Sequence, residues 1–372
     1  MHRKSGDAAA KALSVKREKK NGHRKKIRIA AISLACVAVL AIVLALIHIY
    51  YCPLGYLWVK FSNPEIAERE EGDLRVHFVD VGQGDGMIVE LPDGAVMLID
   101  GGNENFDSRS ALLRYANALG IKKFDYILLT HPDSDHAGGL DDAVRCFGAE
   151  KAFIPYSTNY ESDSSFADFL SALEEEGCET AVSHTYLSVL PEQKKYFYYM
   201  MFLSPLQAGI EGSYYDIANA DDATDSDENN ASAVLWLEYA GRSVLFTGDI
   251  GKEAEEKLID DYAAVGEELF TVKAETAWGE SATLSPVLDE LDFLKVAHHG
   301  SSSSSSESFL SLVQPEAAFI SAGADNSYGH PSVQTLERLH AAGADIYRTD
   351  ESGSIVLTIS RDGTYQIETL GR

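Results

Sequence analysis

The segment Thr130–Leu140 reads T-H-P-D-S-D-H-A-G-G-L and determines the class of fold to expect. Within six positions it holds four side chains that can bind a metal ion: His131, Asp133, Asp135 and His136. The apolar run Phe124–Leu129 before it has the length and composition of a buried strand. The glycines after it predict a tight turn before a helix over Leu140–Phe147. We therefore expect a loop at the end of a buried strand, where binding and catalytic groups concentrate.

Two other predicted strands end in residues of the same type. An apolar run that ends at Phe246 leads into Asp249, and the run Phe293–Ala297 leads directly into His298 and His299. Taken singly, each has a simpler explanation, since Asp249 can cap a helix and a histidine pair can belong to a polar turn. Strand ends along one edge of an α/β sheet form the usual active-site crevice. The three strand ends together therefore predict one metal-binding crevice.

Charge is distributed very unevenly along the 372 residues. Residues 1–28 hold 11 Lys and Arg against two acidic residues, a charge of +9, whereas the remaining 344 residues carry 20 basic and 56 acidic side chains, a charge of −36. Between them, the 21 residues Ile29–Ile49 carry no formal charge except a possible one at His48 and are long enough to cross a bilayer as a helix. Basic residues on the N-terminal side predict that this end stays in the cytoplasm. The span is too long for a cleaved signal peptide and ends in bulky residues, which favours an uncleaved anchor.

This pattern predicts four regions. They are a basic cytoplasmic tail over residues 1–28, a transmembrane signal anchor over 29–51, a linker over 52–73 and a folded body over 74–372 outside the cytoplasmic membrane. Two stretches of the body have no periodicity. The acidic segment Glu211–Glu228 is predicted to be a solvated loop, and the low-complexity run Ser301–Ser306 indicates a flexible segment.

Strand and helix patterns alternate through the rest of the body, which predicts an α/β fold with helices covering sheets. Further strands are predicted over Leu74–Asp80, Met87–Leu91, Ala95–Asp100, Lys151–Ile154, Tyr196–Leu203, Ala233–Tyr239, Ala317–Ile320, Ile355–Ser360 and Thr364–Glu368. Further helices are predicted over Ser110–Leu119, Ser165–Glu176, Lys252–Asp261 and Ser332–Ala342. A Pro-Asp-Gly sequence at residues 92–94 marks a hairpin.

A series of motifs resembles the metallo-β-lactamase superfamily over about residues 74–370. In order, these motifs are D-V-G-Q-G-D, L-I-D-G-G, T-H-x-D-x-D-H-x-G-G, N-x-S-x-V-L, F-T-G-D, L-K-V-x-H-H-G-S and Y-G-H-P. The series is most similar to the hydrolase domain of the ComEC family of competence proteins. That resemblance implies a four-layered αβ/βα sandwich with a two-metal site between the sheets, here preceded by a single N-terminal transmembrane helix. ComEC proteins also carry a multi-helix channel that this sequence lacks, so we do not expect it to form a DNA-uptake channel by itself.

The resemblance also implies a set of ligands for two divalent ions. These are His131 and Asp133 for one ion, Asp135 and His136 for the other, Asp249 as the bridge, and one of His298 and His299 to complete the second site. Two departures affect the first site. The superfamily commonly has His where Asp133 stands, and another His where this chain has Asn230-Ala231-Ser232, with His184 the only nearby imidazole. More oxygen ligands make a harder site, which favours manganese over zinc or leaves one site weak.

Catalysis is expected to involve Asp135 and His330. His330, in the Y-G-H-P motif, is expected to protonate a leaving alkoxide or to bind a phosphate oxygen; the alternative is an ordinary turn histidine. Asp80, Gln83 and Asp85 are expected to orient ligands or to hold turns rather than to bind metal.

Three functions are consistent with the sequence. The first is an extracellular metal-dependent phosphodiesterase, a nuclease by resemblance. The second is an esterase of cell-wall phosphodiesters such as choline-decorated teichoic acids, and the third is a non-catalytic binding module. Retention of the main ligand types argues against the third, and Asp133 argues against a β-lactamase proper. Because the body is strongly acidic, we expect weak binding and a single-stranded substrate, with the metal ions supplying the local positive charge.

Overall fold

The computed structural model of the protein describes residues 4–50, 54–61, 63–157, 164–191, 195–265, 272–276 and 281–371. The chain divides into two compact units, Met1–Trp58 and Val59–Arg372. The second unit therefore takes in part of the segment that the sequence predicts to be a linker.

A single long helix, α1 (Lys4–Tyr50), forms most of the first unit. Its stretch Lys19–Leu46 is long and apolar enough to cross a membrane by length and composition, and none of it is buried inside the protein. A signal sequence near the N-terminus can meet the same criterion. The described apolar side chains of this stretch, such as Leu34 and Val37, are exposed.

The second unit alternates strands and helices. Its helices are α2 (Phe106–Ala118), α3 (Ser134–Ala137), α4 (Leu140–Phe147), α5 (Ser164–Glu176), α6 (Tyr214–Ala218), α7 (Asp225–Asn230), α8 (Lys252–Val265), α9 (Glu307–Val313), α10 (Val333–Ala342) and α11 (Thr349–Ser352). Its first strands are β1 (Leu74–Phe78), β2 (Met87–Glu90), β3 (Val96–Ile99), β4 (Phe124–Leu128), β5 (Ala149–Ile154), β6 (Glu179–Val182), β7 (Leu187–Val189), β8 (Tyr198–Ser204) and β9 (Val234–Tyr239). The remaining strands are β10 (Arg242–Phe246), β11 (Val272–Thr276), β12 (Ser281–Leu284), β13 (Phe293–Lys295), β14 (Ala317–Ile320), β15 (Asp345–Arg348), β16 (Ile355–Ile359) and β17 (Tyr365–Thr369).

Eight strands of the described chain form the first sheet, in the order β17-β16-β1-β2-β3-β4-β5-β6. The strands from β17 to β3 pair antiparallel, and the Pro-Asp-Gly turn joins β2 to β3 as predicted. The strands from β3 to β6 are parallel. Because β3 and β4 run in the same direction, Asp100 after one strand and Thr130 after the other lie at the same edge of the sheet.

Within the described residues, nine strands form the second sheet, in the order β12-β11-β7-β8-β9-β10-β13-β14-β15. Here β10, β13, β14 and β15 are parallel neighbours. Their carboxyl ends therefore share one edge, as in other α/β sheets that bind ligands there. The loops that follow β10 and β13 bring Asp249 and the histidine pair to this edge.

The two sheets pack face to face around a shared apolar core. Alternate residues of β1, such as Val76 and Phe78, point into this core, and the ring of Phe78 stacks on Phe319 of β14 with centroids 4.2 Å apart. The other face of the second sheet packs against α8, α9 and α10, for example through Leu339. On the first sheet, α5 contacts β5 and packs beside α4, with buried side chains such as Phe169. The predicted four-layered αβ/βα sandwich is therefore confirmed.

Most predicted elements occur close to their predicted bounds, but the prediction of a solvated loop over Glu211–Glu228 is wrong. This segment contains α6 and α7. Tyr215 in α6 is fully buried, and its hydroxyl donates to the carbonyl of Ser183 at 2.8 Å. Thr224 and Asp227 form a reciprocal capping box that starts α7. The two helices have five and six residues, which is too short for a periodic apolar pattern. The many acidic residues therefore suggested a solvated loop.

The expectation of flexibility in the Ser301–Ser306 run is also wrong. Ser304 and Ser305 are buried. The buried carboxylate of Glu255 in α8 accepts hydrogen bonds from the backbone N–H groups of Ser305 and Ser306, the latter at 2.8 Å. The low-complexity run is therefore a largely buried segment that precedes α9, and its backbone is held by hydrogen bonds to Glu255.

Candidate metal centre

The residues His131–His136 form the end of the loop after β4 and the first turn of α3. The N–H groups of His136 and Ala137 donate to the carbonyl of Asp133 at 2.9 and 2.8 Å, which closes this turn. The imidazoles of His131 and His136 are fully buried, whereas the side chains of Asp133 and Asp135 are 36% and 25% exposed. The turn therefore directs two imidazoles inward and leaves two carboxylates at the surface of a cleft.

Two glycine loops hold the backbone of this turn in place. A side chain at Gly84 would place its Cβ 2.2 Å from the carbonyl oxygen of Asp135, and the φ of Gly84 is +122°. The N–H of Asp85 donates to that same carbonyl at 3.1 Å, and the N–H of Gly101 donates to the carbonyl of His136 at 2.6 Å. The D-V-G-Q-G-D and L-I-D-G-G motifs therefore position the backbone of residues His131–His136, called the ligand loop below. The close approach at position 84 is possible only for glycine.

Asp100 orients both buried histidines of the loop. Its Oδ1 accepts from the N–H of Thr130 at 2.8 Å, and its Oδ2 accepts from Thr130 Oγ1 at 2.8 Å and from His136 Nδ1 at 2.9 Å. Thr130 Oγ1 lies 3.1 Å from His131 Nδ1. With Nδ1 of each ring acting as donor to this network, Nε2 is the atom of each ring that is left to bind a metal ion once its proton is displaced. A carboxylate behind a ligand histidine commonly sets its tautomer in this way.

Asp249 lies between the two sets of histidines. Asp249 is buried, with 3% of its surface exposed. Its Oδ1 lies 3.4 Å from His136 Nε2, and its Oδ2 lies 3.5 Å from His299 Nε2. The N–H of Asp249 donates to Ser232 Oγ at 3.1 Å, and the N–H of Gly251 donates to Asn230 Oδ1 at 2.8 Å. The Asn230-Ala231-Ser232 segment, where the superfamily commonly has a histidine, therefore positions the Asp249 loop. His184 instead contacts the carbonyl of Thr185 at 3.0 Å.

The histidine pair after β13 has an unusual backbone. His298 and His299 both have positive φ, 50° and 51°, a conformation that is uncommon for residues other than glycine. His299 Nδ1 donates to the carbonyl of Ser321 at 3.0 Å, and its Nε2 lies 3.3 Å from Asp135 Oδ2. His298 is 27% exposed, with Nε2 3.9 Å from Asp249 Oδ2. The strained turn therefore buries one imidazole of the pair and leaves the other partly exposed.

These side chains form a group that fits divalent ions. Asp85, His136, Asp249 and His299 each offer one ligand atom, and these atoms all lie within 4.8 Å of one another. Among the described residues, the buried atoms without a hydrogen-bond partner include Nε2 of His131, His136 and His299 and Oδ1 of Asp249. Buried polar atoms without partners are costly. Imidazole nitrogens and carboxylate oxygens are the ligands that zinc and manganese use, so these orphaned atoms match such an ion.

The charges of the group are strongly coupled. Burial lowers the pKa of His299, but the Asp249 and Asp85 carboxylates outweigh burial and raise that pKa to about 10. Burial raises the pKa of Asp249, but His299 and His136 hold it well below its usual value. In the metal-free protein, buried imidazolium and carboxylate groups therefore compensate one another. A metal ion has to displace protons to bind.

Asp85 and Lys295 form a buried ion pair under this group. Lys295 Nζ lies 2.7 Å from Asp85 Oδ2, and both side chains are fully buried. Asp85 Oδ1 lies 3.3 Å from His299 Nδ1. Asp80 and Gln83 accept backbone N–H groups, of Gly82 at 3.2 Å and of Gly323 at 3.3 Å. Lys295 is not among the predicted site residues, although its single charge within the apolar run Phe293–Ala297 is a signal for a buried partner.

His330 stands beside the histidine pair. Its ring centroid is 5.5 Å from that of His298 and 6.4 Å from that of His299. Its backbone is held by Asn326, which accepts from the His330 N–H at 3.0 Å and donates to the His330 carbonyl at 2.6 Å. Burial and the two neighbouring histidines lower the pKa of His330 to about 4. Its imidazole is therefore neutral at pH 7 in the metal-free protein.

A cleft of about 520 Å³ opens over the exposed carboxylates of the ligand loop. The charged side chains that line it are those of Glu104, Asp133, Asp135 and Glu228, and the aromatic ones are those of Tyr156, Tyr215 and Tyr328. None of the described residues that line the cleft is Lys or Arg. The cleft is therefore acidic and aromatic, and positive charge would come from bound metal ions.

Comparison with known proteins assigns the class. The sequence model of the metallo-beta-lactamase superfamily matches residues 79–174 and 227–324 of this chain, which together make up more than half of it. These two segments contain Asp85, the ligand loop, Asp249 and the histidine pair. The chain belongs to the metallo-β-lactamase superfamily.

The relatives refine this assignment. The chain is 29% identical over 327 residues to ComE operon protein 3 of Bacillus subtilis, covering 84% of this chain and 36% of the relative. It is 26% identical over 301 residues to competence protein ComA of Neisseria gonorrhoeae, covering 81% and 34%. The chain thus spans about a third of the length of these relatives. A solved structure, human tRNase Z short form, is 12% identical with a TM-score of 0.34, covering 68% of this chain and 92% of that one. The low TM-score means that the assignment rests on the sequence comparison.

Proposed function

We propose that this chain is a metal-dependent phosphodiesterase that cleaves nucleic acid. The observation that carries the proposal is the convergence of His136 Nε2 and His299 Nε2 on the buried carboxylate of Asp249, at 3.4 and 3.5 Å. Nucleic acid is the proposed substrate because one relative is recombination protein 2 of Haemophilus influenzae, which is 24% identical over 85% of this chain and 33% of that protein, and recombination is a reaction of DNA.

The distances support one distribution of ligands between two ions. His131 Nε2 and Asp133 Oδ2, 3.5 Å apart, would hold the first ion. Asp135, His136 and His299 would hold the second, since His299 Nε2 faces Asp135. Asp249 would bridge both. Of the histidine pair, His299 is the better ligand because it is buried and its Nδ1 already donates to Ser321, whereas His298 is partly exposed and its Nε2 lies farther from Asp249, at 3.9 Å.

Two divalent ions in these positions would activate water as a nucleophile and polarise the phosphate. Hydrolysis would add one water across a P–O ester bond: the hydroxide forms the new bond to phosphorus, and the proton released by that water passes to the leaving alkoxide. His330 stands beside the pair and keeps a neutral imidazole, which suits it to donate a hydrogen bond to a phosphate oxygen rather than to deliver a stored proton. Asp100 and the Asp85–Lys295 pair hold ligand histidines in orientation.

The acidic cleft favours a single strand over a duplex. A duplex binder gains affinity by placing many Lys and Arg residues on phosphates, and the described lining of the cleft contains none. A single strand can bend so that one phosphate meets the ions while its neighbours stay in solvent. Binding is then weak and metal-dependent.

The test is cleavage by the full chain, purified in detergent and supplied with Mn²⁺ or Zn²⁺. Labelled single-stranded DNA, duplex DNA and RNA are compared, with Asp249→Asn as the inactive control. We expect cleavage of the single strand that needs the added ion and is absent in the control. Intact DNA and RNA, together with hydrolysis of a small phosphodiester, would refute the nuclease proposal while keeping the metal-dependent hydrolase.

One observation favours a second candidate, an esterase of choline-bearing cell-wall phosphodiesters. Tyrosine rings and carboxylates, as in this cleft, are the groups that bind quaternary ammonium ions. Release of phosphorylcholine from a wall polymer or a chromogenic ester, with DNA left intact, would establish this function instead.

We also propose that α1 anchors the protein in the cell membrane, with residues 1–28 in the cytoplasm and the second unit outside. The basic residues before Ile29–Ile49 support this orientation. Protease added to intact spheroplasts should digest the second unit. Complete protection of that unit, or a mature N-terminus beyond Tyr51, would contradict the proposal.

A further inference from the structure

We infer that Tyr156 and Tyr328 bind nucleobases by stacking, and that they select a single-stranded substrate at the metal centre. This inference rests on the proposed nuclease function. The two tyrosines line the same cleft as Asp133 and Asp135. They belong to different parts of the fold, since Tyr156 follows β5 in the first sheet and Tyr328 lies between β14 and α10 at the second.

Both tyrosines expose their rings although the fold supports them from behind. Tyr328 is 69% exposed, and its ring stacks on that of His330 at a centroid distance of 5.8 Å and an angle of 24°. Tyr156 is 39% exposed, and its ring contacts buried Tyr215 at 6.1 Å. Tyr328 therefore has one face against His330, Tyr156 packs against Tyr215 at an interplanar angle of 59°, and both side chains line the cleft.

The charge of the cleft decides what such rings can bind. Glu104 and Glu228 repel phosphates, so a strand cannot be held along its backbone as it is in basic nucleases. Bases carry no charge and present π-faces, and stacking on aromatic side chains is sequence-tolerant. The bases of a duplex are already stacked and paired, which leaves only a single strand or a frayed end able to use the tyrosines. The ions hold the phosphate that is cut, and the rings hold the bases beside it.

The experiment compares two single strands of equal length, a deoxythymidine strand and an abasic strand that keeps the sugars and phosphates. Binding to the full chain in detergent with Mn²⁺ is measured by fluorescence anisotropy on phosphorothioate versions, which resist cleavage. KM and kcat are measured on the ordinary strands. We expect wild type to prefer the deoxythymidine strand in binding and in KM.

Tyr156→Ala and Tyr328→Ala should each weaken binding of the deoxythymidine strand by about 5- to 150-fold, the range for loss of one stacked base. Binding of the abasic strand should not change. Phenylalanine at either position should restore the preference, because it keeps the ring. Phe197→Ala is the matched control, since Phe197 is also 69% exposed but does not line the cleft.

Each alternative gives its own result. A wild type that binds both strands equally refutes stacking, whether or not it cleaves DNA. If Tyr328→Ala lowers kcat on both strands and leaves binding unchanged, Tyr328 only supports His330 and the inference fails. If the strand preference depends on the tyrosines but no strand is cut, the stacking surface stands and the nuclease proposal fails. Displacement of both strands alike by phosphorylcholine would overturn the inference in favour of a cationic ligand.

Discussion

Replacing Asp100 with Asn tests how the fold prepares its metal ligands. Asn fits the same volume and tolerates the positive φ of 57° at this position. Its oxygen can still accept from the N–H of Thr130, but its NH₂ group then faces His136 Nδ1, which also carries a hydrogen. The donor–donor contact is relieved only if the His136 proton moves to Nε2, the atom that faces Asp249 at 3.4 Å. In that tautomer Nε2 carries the hydrogen and has no lone pair to offer a metal ion.

The expected magnitude follows from the bonds that change. A hydrogen bond to a charged group contributes about 1.5–3 kcal/mol, and the one from His136 Nδ1 to Asp100 at 2.9 Å is lost. We expect metal affinity to fall about 10- to 100-fold, equivalent to about 1.4–2.7 kcal/mol. Thr130→Val, which removes the hydroxyl between Asp100 and His131, should have a smaller effect of the same sign.

Isothermal titration with Mn²⁺ or Zn²⁺ at fixed pH measures the affinity. Asp125→Asn is the control, because Asp125 accepts the N–H of Val96 at 2.8 Å in the first sheet and an amide oxygen can replace it. An Asp100→Asn protein that binds metal within twofold of wild type would show that Asp100 does not set the tautomer of His136.

Three further predictions concern the ligand group and its support. Asp249→Asn should lose more metal than any other single change, because a bridge serves both ions, and elemental analysis that finds it fully loaded would remove Asp249 from the site. Metal affinity should rise with pH below about 10, by about tenfold per pH unit for each proton displaced, because the raised pKa of His299 keeps that ring protonated in the metal-free protein; titration in buffers of different ionisation enthalpy counts the released protons, and a count of zero contradicts the assignment. Lys295→Met should destabilise the fold by about 3–5 kcal/mol in chemical denaturation, because Asp85 is left buried without its partner. Adding Asp85→Asn to that variant should recover most of the loss, and no recovery would show that Lys295 acts by packing.

The sequence alone determined the class of fold and most ligand types. The period of two in β1, the buried run of β4 and the Pro-Asp-Gly turn all depend on local pattern, so they are visible without neighbours. The ligand loop was predicted for the same reason. Four residues that can bind a metal lie within six positions after a strand, and this spacing can be read from the local sequence alone. The stretch Ile29–Ile49 was recognisable for the same reason, since a bilayer demands a continuous apolar length.

Only the tertiary structure decided how these residues act on one another. Asp100 lies 36 positions from His136 in the sequence, and the bond between them exists because β3 and β4 are parallel neighbours. The positive φ of both His298 and His299 buries one ring and leaves the other partly exposed, and a sequence pattern does not predict these dihedral angles. Lys295 of the second sheet pairs with Asp85 at 2.7 Å, and Asp85 lies in the loop between β1 and β2 of the first sheet. Contacts between distant segments depend on how two sheets pack, and that packing is a property of the whole chain.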